Sequence, residues 1–303
     1  MSLDPKKSSS TLFSPEGYWE DLVLARSRID ELLEQSKLTG DLAPVEAALG
    51  ELNLKTANYR RLLEEMQAPM RAELGRNFLG TKEWSQAFGF EVGLPPVIPE
   101  YITTELLNSP CPLHPGQRIK DSHLLVFMPK TFRGQPYSAV GLYQLCAARR
   151  GPGGEHYIYE RSVGSTDWKM QPWATATLSE SRWLLIPKSD PNPTKVPPEM
   201  HFRAKCIAAQ ESVLADHYQH AYRSGTTLEI MTAVILNYLV NGEKILVDAY
   251  LRAKECNNTS GRVSVGLFRL QGLQVDMRDN DYKSSHSAVG FALVRKAATQ
   301  ASQ

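Results

Sequence analysis

SHLLVFMPK, Ser122 to Lys130, reads as a strand with no polar side. Leu124, Val126 and Met128 fall on one face and Leu125 and Phe127 on the other, because strand side chains alternate with period two. A strand apolar on both faces must be covered on both, which makes it central. Proline has no N–H for a ladder, so Pro129 ends the run. A partial echo, SRWLLIPKS from Ser181 to Ser189, has the same apolar interior and stops at Pro187. The expectation is two core strands of one sheet, with Leu124 to Met128 and Leu184 to Ile186 buried.

Toward the N-terminus the period changes. Residues 1–14 are polar and serine-rich and read as a tail. From Pro15, Leu22, Ala25, Ile29 and Leu32 recur at steps of three and four, which lines one face of a helix until Thr39-Gly40 breaks it. Asp41 is placed to cap a second helix, in which Val45, Leu49, Leu52, Thr56, Tyr59, Leu63 and Met66 keep seam spacing and Pro69 brings a kink or an end. Two such helices joined by a short turn predict an antiparallel hairpin, and its leftover apolar residues open a route to a homodimer. Thr81 to Phe90, with Trp84 and Phe88 on one face, predicts one more short helix.

Prolines interrupt 94–118, which reads as a linker between the helical region at 15–93 and a domain over 119–297, with a short tail at 298–303. Inside that domain Ser138 to Ala148 predicts a helix and Tyr157 to Tyr159 a strand. Two further helices follow Pro198. The second opens on a capping box, Thr226 with Glu229, closes at Asn241-Gly242 and is apolar nearly all round, which predicts burial. Val263, Val265 and Leu267, then Leu273, Val275 and Met277, alternate with polar residues; with Val289, Phe291 and Leu293 they predict a meander, wet on one face, extending the same sheet. The fold class is α+β: an N-terminal antiparallel helical hairpin, then a mixed or mostly antiparallel sheet packed with helices.

The bulk properties narrow the partners. The chain has 303 residues, 42% hydrophobic and 22% charged, with a formal net charge of +1. That charge argues against nucleic acid and against an anionic membrane surface. No apolar run approaches the roughly 20 residues of a membrane span, and the opening residues lack a secretory pattern. Cys111, Cys146, Cys206 and Cys256 are widely separated and form no CxxC pair, so a reducing, cytoplasmic location is expected and no cofactor is implied.

Cys111-Pro112 with Gly116, Asp121-Ser122-His123 opening the first strand, Trp183 ahead of Pro187, and Val289-Gly290-Phe291 with Arg295-Lys296 resemble an uncharacterised family of bacterial proteins found in chlamydia-related and other intracellular bacteria. The resemblance covers roughly residues 111 to 296. In that family Glu-Thr-His more often opens the strand, so Ser122 is a departure. The resemblance implies a shared domain and a bacterial source, and no chemistry.

Three groups of residues invite a functional reading. Asp216, His217 and His220 carry zinc-ligand chemistry at helical spacing, but Asp216 points away from the face that holds His217, and no metal site is expected there. Asp121 and His123, two apart, share a face where an acid orients an imidazole, as in hydrolase dyads, with no nucleophile motif beside them. Tyr157, Tyr159, Trp168, Trp173 and Trp183 are an aromatic set suited to a ligand groove or to core packing. The leading expectation is a non-enzymatic protein-interaction module. The alternatives are a small-molecule or peptide hydrolase, based on the Asp/His pair or on zinc, and a carrier of apolar ligands.

Overall fold

The structure is a computed structural model that describes residues 15–90, 92–93, 95–147, 149, 156–159, 167–189, 221–256, 262–277 and 289–295. The chain divides into two units, Met1–Pro69 and Met70–Gln303. The division precedes the proline-rich 94–118 stretch expected to be the linker. That stretch instead carries a short helix and sinks Ile102, Leu107, Cys111 and Leu113 into the core of the second unit.

The first unit is helical. Helix α1 spans Pro15–Thr39, and α2 spans Ala43–Leu74. Gly40 ends α1 in the left-handed region, φ 71°, which glycine enters without steric cost. Asp41 Oδ1 accepts from Ala43 N at 3.0 Å, the cap its position predicts. Helix α2 runs through Pro69 to Leu74 instead of ending there. Leu22, Ile29 and Ser36 are buried at seven-residue intervals on α1, and Val45, Tyr59 and Leu63 are buried on α2.

The second unit is mixed α+β. Strand β1 (Phe78–Leu79) precedes α3 (Thr81–Phe88), α4 (Thr104–Asn108), α5 (Ile119–Ser122) and β2 (His123–Met128). A small hairpin, β3 (Thr131–Phe132) and β4 (Gln135–Pro136), leads to α6 (Ala139–Ala147), β5 (Ile158–Tyr159), α7 (Pro172–Thr175) and β6 (Arg182–Pro187). Then come β7 (Tyr222–Ser224), α8 (Thr227–Asn241), β8 (Tyr250–Cys256), β9 (Arg262–Arg269), β10 (Gly272–Asp276), β11 (Val289–Phe291) and β12 (Leu293–Arg295).

The two apolar strands are neighbours. β2 lies between β1, parallel to it, and β6, antiparallel, with Leu125 opposite Leu185 and Val126 opposite Leu184. Leu124 to Met128 have no solvent exposure, and Leu184 to Ile186 are buried. Burial of each such side chain is worth roughly 1.5–3 kcal/mol, so this pair anchors the core.

The C-terminal strands do not extend that sheet. β11, β8, β9, β10 and β5 form a separate five-stranded sheet in that order, and β12 pairs with β7. The predicted meander is therefore incomplete. β9 and β10 are a hairpin, but β11 returns to pair in parallel with β8, and Ala292 separates it from β12. The faces expected to be wet are also covered, since Ser264, Gln274 and Asp276 are buried beside Val265 and Val275. Helix α8 explains why two sheets coexist. It packs on β2 of the first and on β8 and β9 of the second, as well as on α3 and α6, so it needs apolar residues all round. Its capping box forms, with Thr226 Oγ1 accepting from Glu229 N and Glu229 Oε2 from Thr226 N, and Gly242 closes it at φ 68°.

Gly272, at φ 106°, is required where β10 meets β5: a Cβ there would sit 2.2 Å from His156 O. Among the described residues no helix is long and apolar enough to cross a membrane.

Candidate functional site: a buried histidine relay and a tryptophan pair

Asp121 and His123 do not form a dyad. The one turn of α5 leaves Asp121 exposed, while His123, the first residue of β2, is fully buried. The imidazole is bonded through both nitrogens within the protein: Nδ1 lies 2.9 Å from Ser122 Oγ and Nε2 lies 3.0 Å from Tyr222 OH. Arg295 Nη1 donates to the same phenol oxygen at 3.2 Å, and its guanidinium lies over the Tyr222 ring. Burial, then the nearby positive charges of Arg295, His114 and Lys188, push the His123 pKa down to about 3. The ring is neutral at ordinary pH and out of reach of a substrate. Tyr222, which holds it, lies 99 residues away in the chain, and no local spacing announces that contact.

The aromatic set separates into three places. Trp183 packs in the core near Phe78 and Phe127, and its Nε1 donates to Pro96 O at 2.8 Å. Tyr157 is buried against Tyr238, and Tyr159 lies half-buried in β5 opposite Gln274. Trp168 and Trp173 do come together, with centroids 5.8 Å apart and planes 11° from parallel, and Tyr143 meets Trp168 edge to face. A single 3-10 turn at Trp168–Met170, capped by Asp167, runs into α7 and brings the two indoles to one place.

This short segment holds an unusual set of polar atoms. Trp168 Nε1, Gln171 Oε1 and Trp173 Nε1 are shielded from water and have no hydrogen-bond partner among the described residues. Trp168 and Gln171 are each only 3% exposed, whereas Trp173 is half-buried. Each unmet buried group costs about 1–3 kcal/mol. The neighbouring charge is balanced, since Lys169 Nζ reaches Asp167 Oδ2 at 3.4 Å and also lies over the Tyr143 ring. The tryptophans stand out in WKMQPW, but Gln171 does not, because an isolated buried glutamine leaves no periodic trace.

Asp216, His217 and His220 lie outside the described residues. Within those residues no group of three or more His, Cys, Asp or Glu side chains is arranged to hold a metal. Burial pushes the Cys146 thiol up to about 12, so it is a packed neutral group and not a nucleophile. Comparison with protein-family models, curated proteins and solved structures finds no match.

Proposed function

We propose that the chain is a non-enzymatic protein-interaction module whose contact surface is the N-terminal helical unit. In this reading α1 and α2 pair antiparallel through their buried stripes, and the borders of the stripes are left for a partner. What supports it is the character of those borders. A helix of 3.6 residues per turn sets Leu33 at the border of the Leu22–Ile29 stripe, and Leu49 and Met66 at the two borders of the Val45–Tyr59–Leu63 stripe. Their exposures are 39%, 43% and 41%. An amphipathic helix of another protein, or of a second copy of this chain, is the chemistry that covers leucine and methionine here.

The hydrolase reading draws no support from His123, whose nitrogens are both engaged inside the protein. A photo-crosslinking residue in place of Leu49, compared with one in place of Glu31, tests the interaction reading in cells. A protein adduct at 49 and none at 31 is expected, and its mass separates a homodimer from a different partner. No protein adduct at 49 would overturn the proposal.

A further inference from the structure

We propose that Pro69 is a hinge on which the helical unit moves as one body against the α+β unit. The boundary between the two units falls between Pro69 and Met70, inside one continuous helix, α2. On the N-terminal side of that boundary Tyr59, Leu63 and Gln67 are buried in the first unit. On the C-terminal side α2 is tied into the second. Met70 packs against its core and Leu74 is a member of it, Arg71 pairs with Glu83 and lies over the Phe78 ring, and Glu73 accepts from Lys120 Nζ at 2.5 Å and from Asn108 Nδ2 at 2.7 Å. One helix thus serves two bodies, and it passes from one to the other at a proline. Pro69 has no N–H for the carbonyl of Glu65, and its ring crowds that same carbonyl, so the helix is weakened at a defined place. Glu65, Met66, Ala68 and Pro69 are exposed, so water can satisfy the freed carbonyl at different bend angles. A hinge needs only such a position, which absorbs the change while the bodies on either side keep their own packing. It goes beyond the interaction reading and holds whatever the helical unit binds.

The experiment measures distances in the full chain by double electron–electron resonance, with spin labels attached to genetically encoded ketone side chains so that the native cysteines stay in place. Labels at the exposed positions Glu31 and Lys82 lie in different units. Labels at Glu31 and Ala57 lie in the first unit, and labels at Lys82 and Lys130 in the second, all at exposed positions. The cross-unit distance distribution should be clearly wider than both within-unit distributions. Pro69→Ala restores the N–H to the Glu65 carbonyl and the best helix former, so it should narrow the cross-unit distribution and leave the within-unit ones unchanged, which also reports that the variant is folded. Pro69→Gly restores the same N–H in a more pliant backbone and should narrow it less. A cross-unit distribution in the wild-type chain as narrow as the within-unit ones would refute the hinge without any variant. Equal cross-unit widths in the wild type and in Pro69→Ala would refute Pro69 as its place.

Discussion

His123 Nε2 and Tyr222 OH meet at 3.0 Å and tie the first residue of the central strand to β7. Arg295 on β12 holds the other side of the phenol oxygen, so three strands from distant parts of the chain converge on one buried hydroxyl. Tyr222→Phe would leave the imidazole nitrogen unmet in a site without water access. A loss of about 1–3 kcal/mol is expected, measured by chemical denaturation.

The same histidine predicts a pH dependence. Its folded pKa, about 3, lies below the ordinary value of 6.5, and burial is the main cause. Between those values the unfolded chain binds a proton that the folded chain refuses, so stability rises with pH across this window and falls as the solution is acidified. Above pH 6.5 the group contributes no slope. In His123→Gln the thermal midpoint should fall less steeply from pH 6 to pH 4, the mid-part of that window. Parallel curves for the two proteins would contradict it.

Val126 is opposite Leu184 on one side and Leu79 on the other, and has no solvent exposure. An aspartate there would be a buried charge without a partner. Val126→Asp should fail to fold, with no cooperative thermal transition, while Val126→Ile at the same position should stay folded. A soluble aspartate variant with an unchanged transition would show that β2 is not the core of the sheet.

Glu229 is fully buried as a side chain between Arg182 and Arg223. It accepts from Arg182 Nη2 at 3.0 Å, from Arg223 Nη2 at 2.7 Å and, through its other oxygen, from Thr226 N at 2.8 Å. Glu229→Ala removes a helix cap and strips the carboxylate from two arginines, and should cost about 3–5 kcal/mol. Arg182→Met, which leaves the Arg223 pair and the cap intact, should cost clearly less in the same denaturation assay.

Much of the local structure was legible from residue order alone, because it rests on interactions between near neighbours. The period-two run at Leu124 to Met128, the Thr226/Glu229 capping box, the Gly40 and Gly242 stops and the Asp41 cap each depend on contacts within a few residues. That the SHLLVFMPK and SRWLLIPKS strands share one sheet also followed, since two strands apolar on both faces need common cover; that they are antiparallel neighbours is seen only in the tertiary structure. What residue order left open was how cover is shared over long separations. Alternation at Val263 to Val275 signals a half-wet sheet, yet Ser264 and Gln274 are buried, and Gln274 Oε1 is satisfied by Tyr250 OH at 2.7 Å, a partner from a strand that alternation did not mark. The all-apolar circumference of α8 is consistent with one sheet or with two, and only its packing on β2, β8 and β9 decides for two. The tertiary structure likewise took His123 from an acid partner two residues away and gave it to Tyr222, because β7 lies where the imidazole points while the turn of α5 carries Asp121 into solvent.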